Sequence, residues 1–238
     1  ARFEESYSML RQAFSPTGDL IAIGACWGSL SNSLRCESPS SGLLFVANPF
    51  TNQLIAEIPL EGAWPGGMDF SADGRLLLYA TNEHRVALWD LQANAPGMIL
   101  YQQANGATNS YPAVAAAPDG SSYAAIISDQ LYVWNADGSL RFQAPAGNRH
   151  ILSYDLSASR LLAPAPGATG LQVLDALSGA LLRLIPTAFT DAHISPDGGS
   201  VAAAEFAYIF STFGCEVTIL SRSTFLKDAD KHIRALAI

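Results

Sequence analysis

Charge is scarce in this sequence, and what there is leans acidic: 14% of the residues are charged, with 13 Lys and Arg against 21 Asp and Glu for a net charge of −8. No basic stripe interrupts that balance, so the electrostatic footprint of a nucleic-acid partner is missing. Long apolar runs are missing too. The nearest, Val201 to Phe210, is broken by Glu205 and is too short to cross a bilayer, so no transmembrane segment is expected. Histidine is limited to His84, His150, His193 and His232, far apart, and no His-x-x-x-His or Cys-x-x-Cys spacing signals a metal site. There is no Gly-x-Ser-x-Gly elbow and no glycine loop joining a strand to a helix around a phosphate. The expectation is a protein that is not an enzyme and carries no cofactor. The sequence begins at Ala1 without a basic-then-apolar leader, which fits either a leader already removed or a piece of a longer chain.

What is present is repetition. A chain of 238 residues, 49% apolar, can bury roughly 70–75% of its extended surface, enough for one or two cores. Five small-residue turns recur along it: Ser15-Pro16-Thr17-Gly18, Ser71-Ala72-Asp73-Gly74, Ala117-Pro118-Asp119-Gly120, Leu156-Ser157-Ala158-Ser159 and Ser195-Pro196-Asp197-Gly198. Each separates two apolar segments. A third apolar segment then closes on Ala47-Asn48, Trp89-Asp90, Trp134-Asn135, Leu174-Asp175 or Leu220-Ser221. Asp-Gly before an apolar run is a hairpin signal, because Gly accepts positive φ without steric cost. The distance from turn to closing pair is 16 residues from Gly74 to Asp90, 15 from Gly120 to Asn135 and 16 from Ser159 to Asp175. A β-sandwich also has short strands but need not repeat in register; a unit that cannot bury its own faces must stack on neighbours. The reading is therefore all-β, a single β-propeller domain over 1–238 with five four-stranded blades near 7–60, 67–103, 112–144, 151–186 and 191–238.

The segment from Ile58 to Arg75 followed by Tyr79-Ala80-Thr81-Asn82 resembles the YVTN-type β-propeller repeat, with Ala in place of its Val, while Trp89-Asp90 and Trp134-Asn135 resemble the WD40 signature. These motifs are structural and imply little about activity. The resemblance implies seven blades as the common number, which leaves an incomplete seven-bladed ring as the alternative to the closed five-bladed ring favoured by four countable strands in every unit. A YVTN-like propeller also brings a second functional class, the propeller subunit of a periplasmic dehydrogenase whose chemistry sits on another chain.

Function is sought where the repeat is broken, since loops carry binding groups. Turn to closing pair takes 30 residues in blade one (Gly18 to Asn48) and 23 in blade five (Gly198 to Ser221). Both insertions fall between second and third strands, so both leave the same end of the ring. They hold all three cysteines, Cys26, Cys36 and Cys215. A Cys26–Cys36 disulfide would contribute about 2–3 kcal/mol and place the protein in an extracytoplasmic, oxidising compartment; a bridge from Cys215 to either of them, or reduced thiols with a cytoplasmic location, are the alternatives.

The links between blades reach that same end and bring Trp64, Tyr111, Arg149, His150 and Phe189, joined by Trp27, His84 and Arg85 from second-to-third-strand turns. Aromatic residues and Arg are the usual anchors of interfaces, although Trp64 and Tyr111 serve equally well as wedges between blades. As a cluster they point to a protein partner or larger complex. A carbohydrate-binding propeller is the remaining alternative, weakened because Trp64, Tyr111, His150 and Phe189 differ at equivalent links where equal sugar sites would repeat one residue.

Overall fold

The computed structural model describes residues 7–27, 42–60, 63–103, 112–168, 170–186, 192–195, 197–198 and 201–202. Alternating apolar segments and tight turns fold as antiparallel meanders. The first sheet holds β1 (Tyr7–Phe14), β2 (Ile21–Trp27), β3 (Gly42–Asn48) and β4 (Gln53–Pro59), paired in chain order. The second holds β5 (Pro65–Phe70), β6 (Leu76–Thr81), β7 (Arg85–Asp90) and β8 (Ala95–Gln102). The third and fourth follow the same order, with β9 (Ala113–Ala116), β10 (Ser122–Ile127), β11 (Gln130–Asn135) and β12 (Leu140–Pro145), then β13 (Ser153–Tyr154), β14 (Arg160–Pro164), β15 (Leu171–Asp175) and β16 (Leu181–Ile185). A last described pair, β17 (His193–Ile194) and β18 (Val201–Ala202), begins another hairpin. The protein is all-β, and its four-stranded antiparallel sheets are compatible with a propeller.

The repeat seen in sequence is one hydrogen-bonded turn made five times. The fourth residue of each donates its N–H to the first carbonyl: Gly18 to Ser15 (2.9 Å), Gly74 to Ser71 (2.8 Å), Gly120 to Ala117 (2.9 Å), Ala158 to Asp155 (3.0 Å) and Gly198 to Ser195 (2.8 Å). That fourth residue has positive φ each time, and only the fourth turn places a non-glycine there, Ala158 at 54°. The fourth turn thus runs from Asp155 to Ala158, one residue earlier than its sequence suggests. Asp155 replaces serine as the organiser, its carboxylate accepting from Ser159 N (2.8 Å) and Arg160 N (2.9 Å).

The closing pair is equally structural. At Ala47, Trp89, Trp134 and Leu174 the pairing with the outer strand slips, a bulge at the equivalent position of all four sheets. The following residue then organises the turn into that strand. Asn48 Oδ1 accepts from Phe50 N and Thr51 N (2.9 Å each), Asp90 Oδ1 from Gln92 N and Ala93 N (2.9 Å each), and Asp175 Oδ1 from Leu177 N (3.2 Å) and Ser178 N (2.8 Å).

The core lies between sheets. Ala22, Leu44, Val46 and Ile58 of the first sheet pack with Phe70, Leu77 and Tyr79 of the second. Leu78 and Leu88 join Tyr123 and Trp134 across the second and third, Ile126 and Leu131 join Leu161 and Leu174 across the third and fourth, and Leu162 and Val173 join Ile194 of β17. Inner strands follow the same succession, β1 against β5, β5 against β9, β9 against β13 and β13 against β17. Polar ties cross the same seams. Gly67 N donates to Pro112 O (2.8 Å), Arg141 Nη1 to Ala176 O (3.2 Å), and Gln172 Nε2 to Pro145 O (2.8 Å).

Candidate functional site

In a four-stranded meander the chain enters the first strand, turns from the second to the third, and leaves the fourth at one end. Among the described residues, Trp27, Trp64, His84, Arg85, Arg149 and His150 stand at that end of their sheets, called here the link end. Leu60 N bonds Gly42 O (3.1 Å) and Ala63 N bonds Leu60 O (2.9 Å), so the link into the second sheet folds back tightly. Trp64 is then clamped to the β6–β7 turn, its N–H donating to Asn82 Oδ1 (2.7 Å) while Asn82 N donates to Trp64 O (3.1 Å). Trp64 is half-buried.

The β6–β7 turn closes when His84 N donates to Thr81 O (3.0 Å), with His84 at φ 55°. His84 is fully buried, and its Nδ1 lies 2.7 Å from Gln103 Oε1. It holds the turn against the end of β8 from inside rather than facing solvent. Arg85, half-buried, pairs with Gln102 across β7 and β8. On the other side Thr81 pairs with Pro65. Thr81, Arg85 and Gln102 therefore form a cross-strand row at the end of the second sheet, above Tyr79.

A cleft of about 130 Å³ opens between this row and the exit of the first sheet, where Leu60 and Ala63 form its apolar wall. Glu83 and Gln103 stand exposed at its lining. Two polar atoms at this cleft are shut away from solvent without a hydrogen-bond partner, Thr81 Oγ1 and Arg85 Nε. Thr81 as a residue is only 2% exposed. Buried donors left unpaired are costly, so each such atom calls for an explanation.

Arg149 and His150 lie exposed in the link between the third and fourth sheets. His150 is partly desolvated by the chain around it, and this, followed by the positive charge of Arg11 on β1, holds its imidazole below the usual value. The link before the fourth sheet thus lies within electrostatic reach of the first sheet's inner strand. Trp27 and Cys26 end β2, where the blade-one insertion leaves the first sheet. Tyr111, Phe189, Cys36 and Cys215, and with them the expected disulfide and most of the expected fifth unit, fall outside the described residues.

Sequence reasoning found Arg85 and its neighbours but missed Thr81, Gln102 and Gln103. Their one signal was polarity at strand ends whose interiors are apolar; the row itself depends on register across β6, β7 and a bulged β8. Among the described residues no group of three or more His, Cys, Asp or Glu is placed to hold a metal ion, and no helix is long and apolar enough to cross a membrane. No family model matches the chain, and no curated protein matches it.

Proposed function

We propose that this chain is a non-catalytic β-propeller scaffold, a closed ring of five four-stranded blades, that binds a protein partner at its link end. The observation that carries the binding reading is the cleft between the first and second sheets, where Arg85 and Thr81 hold unused hydrogen-bonding capacity opposite Leu60, whose N–H bonds Gly42 O at the start of β3. Arginine in a partly desolvated pocket is a frequent interface anchor. The ring is supported by the unbroken succession of inter-sheet cores and by Arg11 of the first sheet reaching the electrostatic surroundings of His150 ahead of the fourth.

The test is cross-linking in producing cells, with the wild type compared against Arg149→Glu and Arg85→Gln. A partner retained by the wild type and lost from the variants, with circular dichroism unchanged, supports the reading. Equal recovery removes this end of the molecule from consideration. An extracytoplasmic location goes with the Cys26–Cys36 disulfide, and intact-mass measurement before and after reduction tests it: a gain of two hydrogens is expected, and no gain sinks the staple.

A further inference from the structure

We infer that the cleft between the first and second sheets is a carboxylate-binding pocket, with Arg85 and Thr81 as its donors and Gln102 completing the row. The inference deepens the proposed partner surface and rests on it only for who bears the carboxylate.

The donors come from a single cross-strand row. Thr81 ends β6 one residue past the Ala80–Val86 pair, Arg85 begins β7 one residue before it and is paired with Gln102 at the end of β8, and all three line the cleft. Two of them carry buried polar atoms with no hydrogen-bond partner, Thr81 Oγ1 and Arg85 Nε. A hydroxyl that is 98% covered at the level of its residue, and a guanidinium N–H beside it, both lack an oxygen to bind. One anionic group that enters the cleft and draws these two side chains toward it satisfies both.

The ligand class follows from shape and charge. A guanidinium fork matches a planar carboxylate with two parallel N–H donors, and such charge-assisted bonds are about twice as strong as neutral ones. A cleft of about 130 Å³ admits a carboxylate with a few carbons, and its Leu60 and Ala63 wall suits those carbons. Glu83 at the lining, together with the chain's net charge of −8, disfavours a doubly charged phosphate. The carboxylate arrives either on a free small acid or on an Asp or Glu side chain of a protein.

The experiment titrates the whole chain with butyrate, with acetyl-Gly-Glu-Gly-amide and with acetyl-Gly-Gln-Gly-amide, read by two-dimensional amide NMR. Saturable shifts at Thr81 to Arg85 and at Gln102 and Gln103 are expected from the two carboxylates and not from the Gln peptide. Stronger binding of butyrate assigns the pocket to a free acid; stronger binding of the Glu peptide assigns it to a partner's side chain. Arg85→Gln should weaken the carboxylate by about tenfold, and Arg85→Lys by less. Thr81→Val is the second variant: it should weaken binding yet raise the melting temperature of the unliganded protein, because it removes a hydroxyl that has no partner. Absent saturation into the tens of millimolar, equal response to the Glu and Gln peptides, or unchanged binding in Arg85→Gln overturns the inference. Carboxylate binding that persists while Arg85→Gln leaves partner recovery unchanged retires the partner surface and leaves the pocket standing.

Discussion

Asp69 on the inner strand of the second sheet accepts a hydrogen bond of 2.8 Å from the backbone N–H of Ala116 on the inner strand of the third. Two sheets later Ser153 Oγ does the same for Ile194 N at 3.3 Å, from the equivalent position before its turn. The first and third sheets have Ala13 and Ala115 there. An acidic or hydroxyl side chain at this place is thus a seam between neighbouring sheets. Asp69 thus serves as an acceptor of backbone hydrogen bonds, one of them across the seam.

Desolvation pushes Asp69 up from 3.8 to about 6, against the Ala116 and Phe70 hydrogen bonds that lower it. An acid whose folded pKa is raised binds more protons in the folded state, so stability rises as pH falls through about 6 toward 3.8. His150 acts in the opposite sense, since a lowered imidazole pKa makes folding less favourable as pH falls below 6.5. Side-chain hydrogen bonds lower Asp19, Asp73, Asp90, Asp137 and Asp175, and their contribution is lost below 3.8. The comparison that isolates the titration of Asp69 is Asp69→Asn, which removes the ionisable group and keeps one of the two oxygens that accept from Ala116 N and Phe70 N. Urea unfolding between pH 7 and pH 4 should show a wild-type gain on acidification that the variant lacks; identical slopes would refute the assignment.

Ala158 holds a left-handed conformation that glycine fills in the other four turns. Ala158→Gly should stabilise the protein by about 1 kcal/mol, the relief of Cβ crowding exceeding the added freedom of the unfolded chain. Gly74→Ala should destabilise in the mirror sense. A raised urea midpoint for the first and a lowered one for the second, at unchanged slope, is the expected result.

Asp90 serves two partners, the turn amides of Gln92 and Ala93 and the guanidinium of Arg75 at 2.8 Å. Asn48 performs the turn function with an amide. Asp90→Asn should therefore unfold close to the wild type, because an ion pair with the exposed Arg75 adds little, whereas Asp90→Ala should melt lower. Equal losses would make the ion pair the dominant contribution.

Tyr154 and Ser122 share a buried hydrogen bond of 3.1 Å across the third and fourth sheets. Burial pushes the phenol up to about 12, against the Ser122 bond that lowers it. Tyr154→Phe should cost about 1–2 kcal/mol, because Ser122 is left without its partner, and adding Ser122→Ala should recover part of that loss. Strict additivity in the double variant would deny the bond a role.

The repeat was legible because its signals are local. A glycine after Asp, or an Asp or Asn after a packed residue, acts within four or five residues and leaves its mark in one stretch of sequence. The fourth turn was displaced by one residue because Asp155 stands where the other turns have serine or, at Ala117, alanine, and Ala158 stands where they have glycine. The candidate site was legible only at Arg85 and its neighbours. Thr81 and Gln102 join Arg85 through register across β6, β7 and a slipped β8, and a bulge that shifts pairing is not written in either strand alone. His84 has the composition of a contact residue, yet its positive φ and its Gln103 partner turn it inward.

The cores between sheets bear on how the molecule is made. Each apolar cluster draws its residues from two consecutive sheets, so a sheet leaving the ribosome has half of its burial still to come. Residues as well hidden as Leu78 and Leu162, which pack against the next sheet along the chain, stay uncovered until that sheet has been synthesised. Folding during translation then proceeds like a zip, each new sheet locking the one before it, with an interval of exposure set by the time needed to add one repeat.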